Sequence, residues 1–115
     1  LDPKDPKGYY TVATFYWDQC YRGPLLDDAR KKELADEGME FVNKALAIKG
    51  DFVEALIYKG LLLREQAKLT RNPATRSSLM EEAQILQKQA VELKKQQDEE
   101  LALKAKQAAA TATSN

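Results

Sequence analysis

Three features of this sequence predict an all-α fold of two antiparallel helical hairpins. Helix breakers punctuate the chain at Pro3, Pro6, Gly8, Gly23-Pro24, Gly38, Gly50, Gly60 and Pro73. The segments between them are rich in helix formers and nearly free of strand-like alternation. The helical pattern recurs along the chain at a near-constant offset. At 115 residues the chain fits one domain with room for a real core.

Four helices follow in order. The first is expected from Pro6 to Tyr21, with Asp5 as N-cap and Pro6 preset for the first turn. Gly23-Pro24 ends it. The second spans Asp28 to Lys49, capped by Asp27 or Asp28. Its apolar residues Leu34, Phe41, Val42, Ala45, Leu46 and Ile48 fall mainly at helical spacing, and Gly50 is its expected stop. The third spans Phe52 to Leu69 with Asp51 as its cap. Asn72-Pro73 restarts the chain, Asn72 as cap and Pro73 in the first turn. The fourth helix has no internal breaker. It is expected to pass Leu103, to fray around Ala108-Ala109-Ala110, and to leave a disordered tail over 107–115.

The recurrence is specific. Pro3 to Gly50, Tyr9 to Leu56 and Ala13 to Gly60 are all offset by 47 residues. In the second helix of each unit the offset is 45, as in Gly38 to Ala83 and Ala45-Leu46 to Ala90-Val91. The units are therefore the hairpins 6–50 and 51–106, with residues 1–5 as the end of a preceding one.

At these positions the chain resembles the tetratricopeptide repeat (TPR) family. The first unit carries Tyr9-x-x-Val12-Ala13-x-x-Tyr16, then Gly38-x-x-x-Val42-x-x-Ala45-Leu46, with Gly50 where the family has Pro. The second carries Leu56-x-x-Lys59-Gly60-x-x-Leu63, then Ala83-x-x-x-Gln87-x-x-Ala90. Small residues at these places let the two helices of a hairpin cross closely, and large ones fill the gap. The resemblance covers roughly residues 1–93 and implies an α-solenoid fragment with a long capping helix. The period of about 45 exceeds the usual 34. The excess lies between the two helices of each unit and predicts longer helices. Lys59 and Gln87 replace apolar residues of the motif. Because such repeats bury their apolar faces on neighbours, the resemblance implies further repeats upstream.

Composition excludes several chemistries. With no His there is no Ser/His/Asp or Cys/His catalytic group. One Cys allows neither an internal disulfide nor a Cys-rich zinc cluster. Lys+Arg and Asp+Glu balance at 18 each, against the basic excess of a nucleic-acid binder. There is no Gly-rich phosphate loop and no membrane-spanning apolar run. The start Leu1-Asp2-Pro3-Lys4 is not a signal-peptide pattern. No compartment is indicated. The acidic pairs Asp27-Asp28 and Glu81-Glu82 and the run Asp98-Glu99-Glu100 read as helix caps and solvated faces, not as acid–base pairs. Cys20, near a helix C-terminus, reads as a packed thiol. No cofactor or metal is expected, and no catalysis.

The aromatic residues point elsewhere. Tyr9, Tyr10, Phe15, Tyr16, Trp17 and Tyr21 put six of the nine aromatics into thirteen residues. Tyr9 and Tyr16 occupy packing positions of the motif; Tyr10 and Trp17 do not. In TPR proteins the first helix of each unit lines a concave, peptide-binding surface. The resemblance places Lys7, Tyr10, Thr14 and Trp17 there, then Glu54, Ile57, Leu61 and Arg64. Tyr and Trp are common binding anchors. The alternative is that Tyr10 and Trp17 pack on an upstream repeat. The Lys-Asn clamp with which some family members hold a chaperone's C-terminal carboxylates is absent, Tyr10, Thr14 and Tyr58 standing in those places. The expected function is a non-catalytic scaffold for a protein or peptide partner. The alternative is a structural end cap of a longer solenoid. The fourth helix alternates Lys with Glu and Asp, which suits a solvated helix with a possible coiled-coil contact through Leu86, Val91, Leu93, Leu101 and Leu103.

Overall fold

The computed structural model describes residues 2–23 and 25–113, with the side chain of Thr113 left aside. Four helices occur in the order α1 (Pro6–Arg22), α2 (Asp28–Ile48), α3 (Val53–Leu69) and α4 (Pro73–Thr113). The fold is all-α, and the described residues include no strand.

Local chemistry sets most boundaries. The Asp5 carboxylate accepts the Lys7 N–H at 3.0 Å, with Pro6 in the first turn of α1. Gly23 caps the other end with φ −88° and ψ 83°. A Cβ on Gly23 would stand 2.8 Å from the Gln19 carbonyl oxygen, so glycine serves a close approach there rather than a left-handed turn. Pro24, the other half of the expected break, lies outside the described residues. Of the two expected caps on α2, Asp27 is the one used: its carboxylate accepts the Arg30 N–H at 2.8 Å. Asp28 sits in the first turn, where negative charge suits the helix dipole. Asn72 accepts from the N–H groups of Ala74 and Thr75, at 2.9 and 3.2 Å, and so starts α4.

Three boundaries differ from the sequence reading. α2 ends at Ile48 and its C-cap is Lys49, not Gly50: Lys49 turns to φ −136° and ψ 92° while its N–H still bonds the Ala45 carbonyl. Gly50 adopts no positive φ, nor does any other described glycine. Secondly, the N-cap of α3 is Phe52, not Asp51, and no side chain caps that helix. The Phe52 side chain is buried, and its ring lies 5.1 Å from that of Tyr10. Burying that ring outweighs a capping hydrogen bond worth about 1 kcal/mol. The Asp51 carbonyl instead accepts from Gln97 Nε2 of α4 at 3.1 Å. Thirdly, α4 continues through 107–113, where a disordered tail was expected; Thr111 Oγ1 donates to the Gln107 carbonyl at 2.9 Å. Ala, Lys and Gln have favourable helix propensities, and no breaker interrupts a helix already started on α3. Ser114 and Asn115 lie outside the described residues.

Each helix packs on the next, and α1 also touches α3, while α2 and α4 do not approach each other. The core is accordingly a chain of clusters. One, at the α1–α2–α3 junction, holds Ala13, Val42, Ala45, Phe52, Ala55 and Leu62. The next, between α3 and α4, holds Val53, Leu56, Leu63, Ala83, Leu86 and Ala90. A third, at the far end of the first hairpin, joins Cys20, Leu34 and Ala35. The 47- and 45-residue offsets reappear as packing. Tyr9 and Tyr16 flank Phe41 at 6.3 and 5.7 Å. Their counterparts Leu56 and Leu63 share a cluster with Leu86, the counterpart of Phe41. Helices of 17 and 21 residues in the first hairpin absorb the extra repeat length.

From Lys94 to Ala112 every residue of α4 is exposed except the half-buried Gln97. The apolar residues suggested for a coiled coil are divided in use. Leu86 and Leu93 pack against α3, whereas Val91, Leu101 and Leu103 face solvent.

Candidate binding groove

The third helix presents Glu54, Ile57, Leu61 and Arg64 at three- and four-residue spacing, which aligns them on one face. Opposite them α4 contributes Ala83, Gln87, Ala90, Val91 and Lys94. Together with Gly60 these residues bound an open groove of about 780 Å³. Its floor is low because Gly60 and Ala83 lack bulk: a Cβ on Gly60 would stand 3.8 Å from the Ala83 carbonyl oxygen. Ile57 and Val91 stand exposed on its two sides. Polar groups mark the rim. Arg64 donates to Gln87 Oε1 across the groove at 3.0 Å, and Lys94 pairs with Asp98 at 3.1 Å. An apolar trough with a few charged edges suits a helix or an extended segment better than a small polar substrate.

The eight residues expected on one concave surface thus separate. The α3 quartet lines the groove. Tyr10 and Trp17 do not reach it. Tyr10 packs against Phe52 and edge-on to Tyr58, at 5.1 and 5.5 Å. Trp17 stacks on Tyr21 at 4.9 Å and meets Tyr58 edge-on at 5.6 Å. Both therefore pack forward, on the third helix, where the sequence had offered a ligand or an upstream repeat. Burial, then the neighbouring Tyr58 and Glu54, raise the Tyr10 hydroxyl above its ordinary pKa. Trp17 also borders a second depression of about 390 Å³, shared with Leu61, Arg64 and Met80. Its indole Nε1 is buried with no hydrogen-bond partner among the described residues. Thr14 turns its hydroxyl back to the Thr11 carbonyl at 2.7 Å, and Lys7 is exposed.

Gln87 is the residue whose meaning the sequence concealed. It breaks the repeat motif where the first unit has the buried Val42. In the structure it is exposed in the groove, because the face that Val42 offers to α3 has no covering helix in the second hairpin.

Reactive groups are occupied elsewhere. Cys20 is buried, with Sγ 3.4 Å from the Lys31 carbonyl. Burial, then the charge of Glu65, pushes its thiol pKa up and disfavours the nucleophilic thiolate. Glu65, itself nearly buried, pairs with Lys68 at 3.0 Å. Among the described residues no group of three or more acidic or Cys side chains is arranged to hold a metal ion. No described helix is long and apolar enough to cross a membrane.

The chain matches no protein-family model, no curated protein and no solved structure. Fold and groove define it as an all-α protein of stacked helical hairpins with an open apolar trough on the second of them.

Proposed function

We propose that this chain is a non-catalytic binding module of TPR-like hairpins whose α3–α4 groove holds a helical segment of a protein. The observation that carries this reading is the groove itself. It is apolar, open, and lined by Glu54, Ile57, Leu61 and Arg64, four residues placed on the binding surface by the family resemblance. A helix fits because the same kind of face on the first hairpin is covered by one, α3. Gln87 in place of a buried Val makes the groove wetter than a core, which favours a partner that leaves over a permanent neighbour.

The test uses a capped peptide of residues 53–69, which is the helix that fills the equivalent face of the first hairpin. Titration into the chain, followed calorimetrically, should show saturable binding. Ile57→Glu should weaken it by roughly tenfold or more. Absence of binding, or binding indifferent to Ile57→Glu, would overturn the reading.

A further inference from the structure

The groove has an occupied counterpart in the first hairpin, and that occupant shows what fits. The offsets of 47 and 45 residues carry Ala13 to Gly60, Gly38 to Ala83 and Ala45 to Ala90. In the first hairpin these small residues receive Leu62, which is 0% exposed and lies directly on Gly38. Stepping back 47 residues from Leu62 reaches Phe15, a large ring on α1 that is 58% exposed. The match extends along the helix. Ala55, small and fully buried in the same interface, corresponds to Gly8. Gln66 donates to Asp36 at 3.0 Å; their counterparts are Gln19 and Glu81, again a donor amide and a carboxylate. Lys49 stands over the Phe52 ring at 5.5 Å; their counterparts are Lys94 and Asp5, a pair of opposite charges. The exposed face of α1 therefore carries the pattern that the α3–α4 groove is shaped to receive.

We propose that α1 of a second copy of this chain lies in the α3–α4 groove, head to tail, with Phe15 seated over Gly60 and Ala83 as Leu62 is over Ala13 and Gly38. This rests on the reading of the groove as a helix site and names its occupant. The contact continues the internal repeat from one chain to the next. It joins two different surfaces, so each copy has one knob and one groove, and association does not stop at two. Gln19–Glu81 and Asp5–Lys94 fix the register, and Phe15 supplies the apolar anchor.

Sedimentation velocity over a concentration series tests this on the chain as it is. The average mass should rise above the monomer as concentration increases. Phe15→Asp removes the knob and leaves the groove; Ile57→Glu blocks the groove and leaves the knob. Both sites are exposed, and circular dichroism should show both variants folded. Each alone should be monomeric. Mixed in equal amounts they should form a one-to-one pair and nothing larger, because one intact groove then meets one intact knob. A chain monomeric up to roughly millimolar concentration, self-association that survives both substitutions, or variants that fail to pair when mixed would each overturn the proposal. Titrating the Phe15→Asp variant with the 53–69 peptide separates the two readings. Peptide binding without self-association leaves the groove a helix site for another protein; loss of both removes the groove reading as well.

Discussion

Leu62 of α3 rests on the Cα of Gly38 in α2: a Cβ built on that glycine would stand 2.9 Å from Leu62 Cδ2 and 3.2 Å from Tyr16 Cβ. Three helices meet at this point, and the missing methyl group is what lets them. Gly38→Ala gains helix propensity of about 1 kcal/mol. It also drives a methyl into a buried side chain with nowhere to go and a Cβ anchored to its own backbone, which costs about 1–3 kcal/mol. Net destabilisation of up to about 2 kcal/mol is expected, read from the urea midpoint. Gly60→Ala is the control. Its nearest contact would be 3.8 Å away, an ordinary separation. It should leave stability unchanged or raise it by up to about 1 kcal/mol. Equal effects at the two sites would contradict the crossing described.

Trp17 and Tyr10 are coupled through Tyr58, which meets both rings edge-on. A Tyr10→Ala, Trp17→Ala double variant therefore removes packing between the hairpins. Truncating Trp17 to Ala should cost about 3–5 kcal/mol, the range for a large core aromatic, or less in proportion to its partial exposure. Trp17→Phe is the more telling change. It deletes an indole N–H that is buried without a partner among the described residues, so the relief offsets much of the lost area. Stability within about 1 kcal/mol of the parent is expected for Trp17→Phe in equilibrium unfolding. A loss as large as that of Trp17→Ala would show that the N–H does find a partner.

The contrast between Asn72 and Asp51 shows what a sequence of this kind discloses. Asn72-Pro73 reads as a helix start and is one, because cap, proline and helix lie within four residues and no distant contact competes. Asp51 reads equally well as a cap, yet Phe52 takes the position because its ring reaches Tyr10, more than forty residues away in the chain. The hairpins were legible for a related reason: the 47- and 45-residue offsets compare the chain with itself. Half of the candidate surface was legible too, since Glu54, Ile57, Leu61 and Arg64 share a helical face. The other half was not. Tyr10 and Trp17 depend on Tyr58, which occupies none of the packing positions of the repeat. The groove depends on α4 leaving a face of the last hairpin uncovered, which no local pattern reports.

The Cys20 thiol gives stability a dependence on alkaline pH. Its folded pKa lies above the ordinary value of about 8.5, chiefly through burial. Below that value the thiol is protonated in both states and its contribution is fully present. Above it the unfolded chain ionises first, so stability falls as pH rises toward the raised folded pKa. Tyr10, also raised, adds a further decline starting near pH 10. Urea midpoints should drop as pH rises past about 8.5, and the drop should be shallower in Cys20→Ala. The same burial predicts slow thiol labelling in the folded protein and rapid labelling in denaturant. A pH slope unchanged by Cys20→Ala would remove Cys20 as its source.

The fourth helix divides near Gln97, whose amide reaches the Asp51 carbonyl in the α2–α3 turn, the last hydrogen bond from α4 to the hairpins among those of the described residues. Beyond it Leu101 and Leu103 are exposed, and the remaining described residues lie in solvent. An isolated helical stretch of this length is marginal in water even with favourable residues. The segment from 98 onward should therefore add helix content without adding to the stability of the hairpins. Truncation after Gln97 should lower the helical circular dichroism signal while leaving the urea midpoint of the remainder unchanged. Amide exchange should show the same division: protection through the α3-facing turns of α4, falling away past Gln97. Extending the truncation to remove Leu93 and Ala90 should lower the midpoint sharply, because both pack in the α3–α4 cluster. Loss of stability on removing only 98–115 would mean that the overhang folds back on the hairpins.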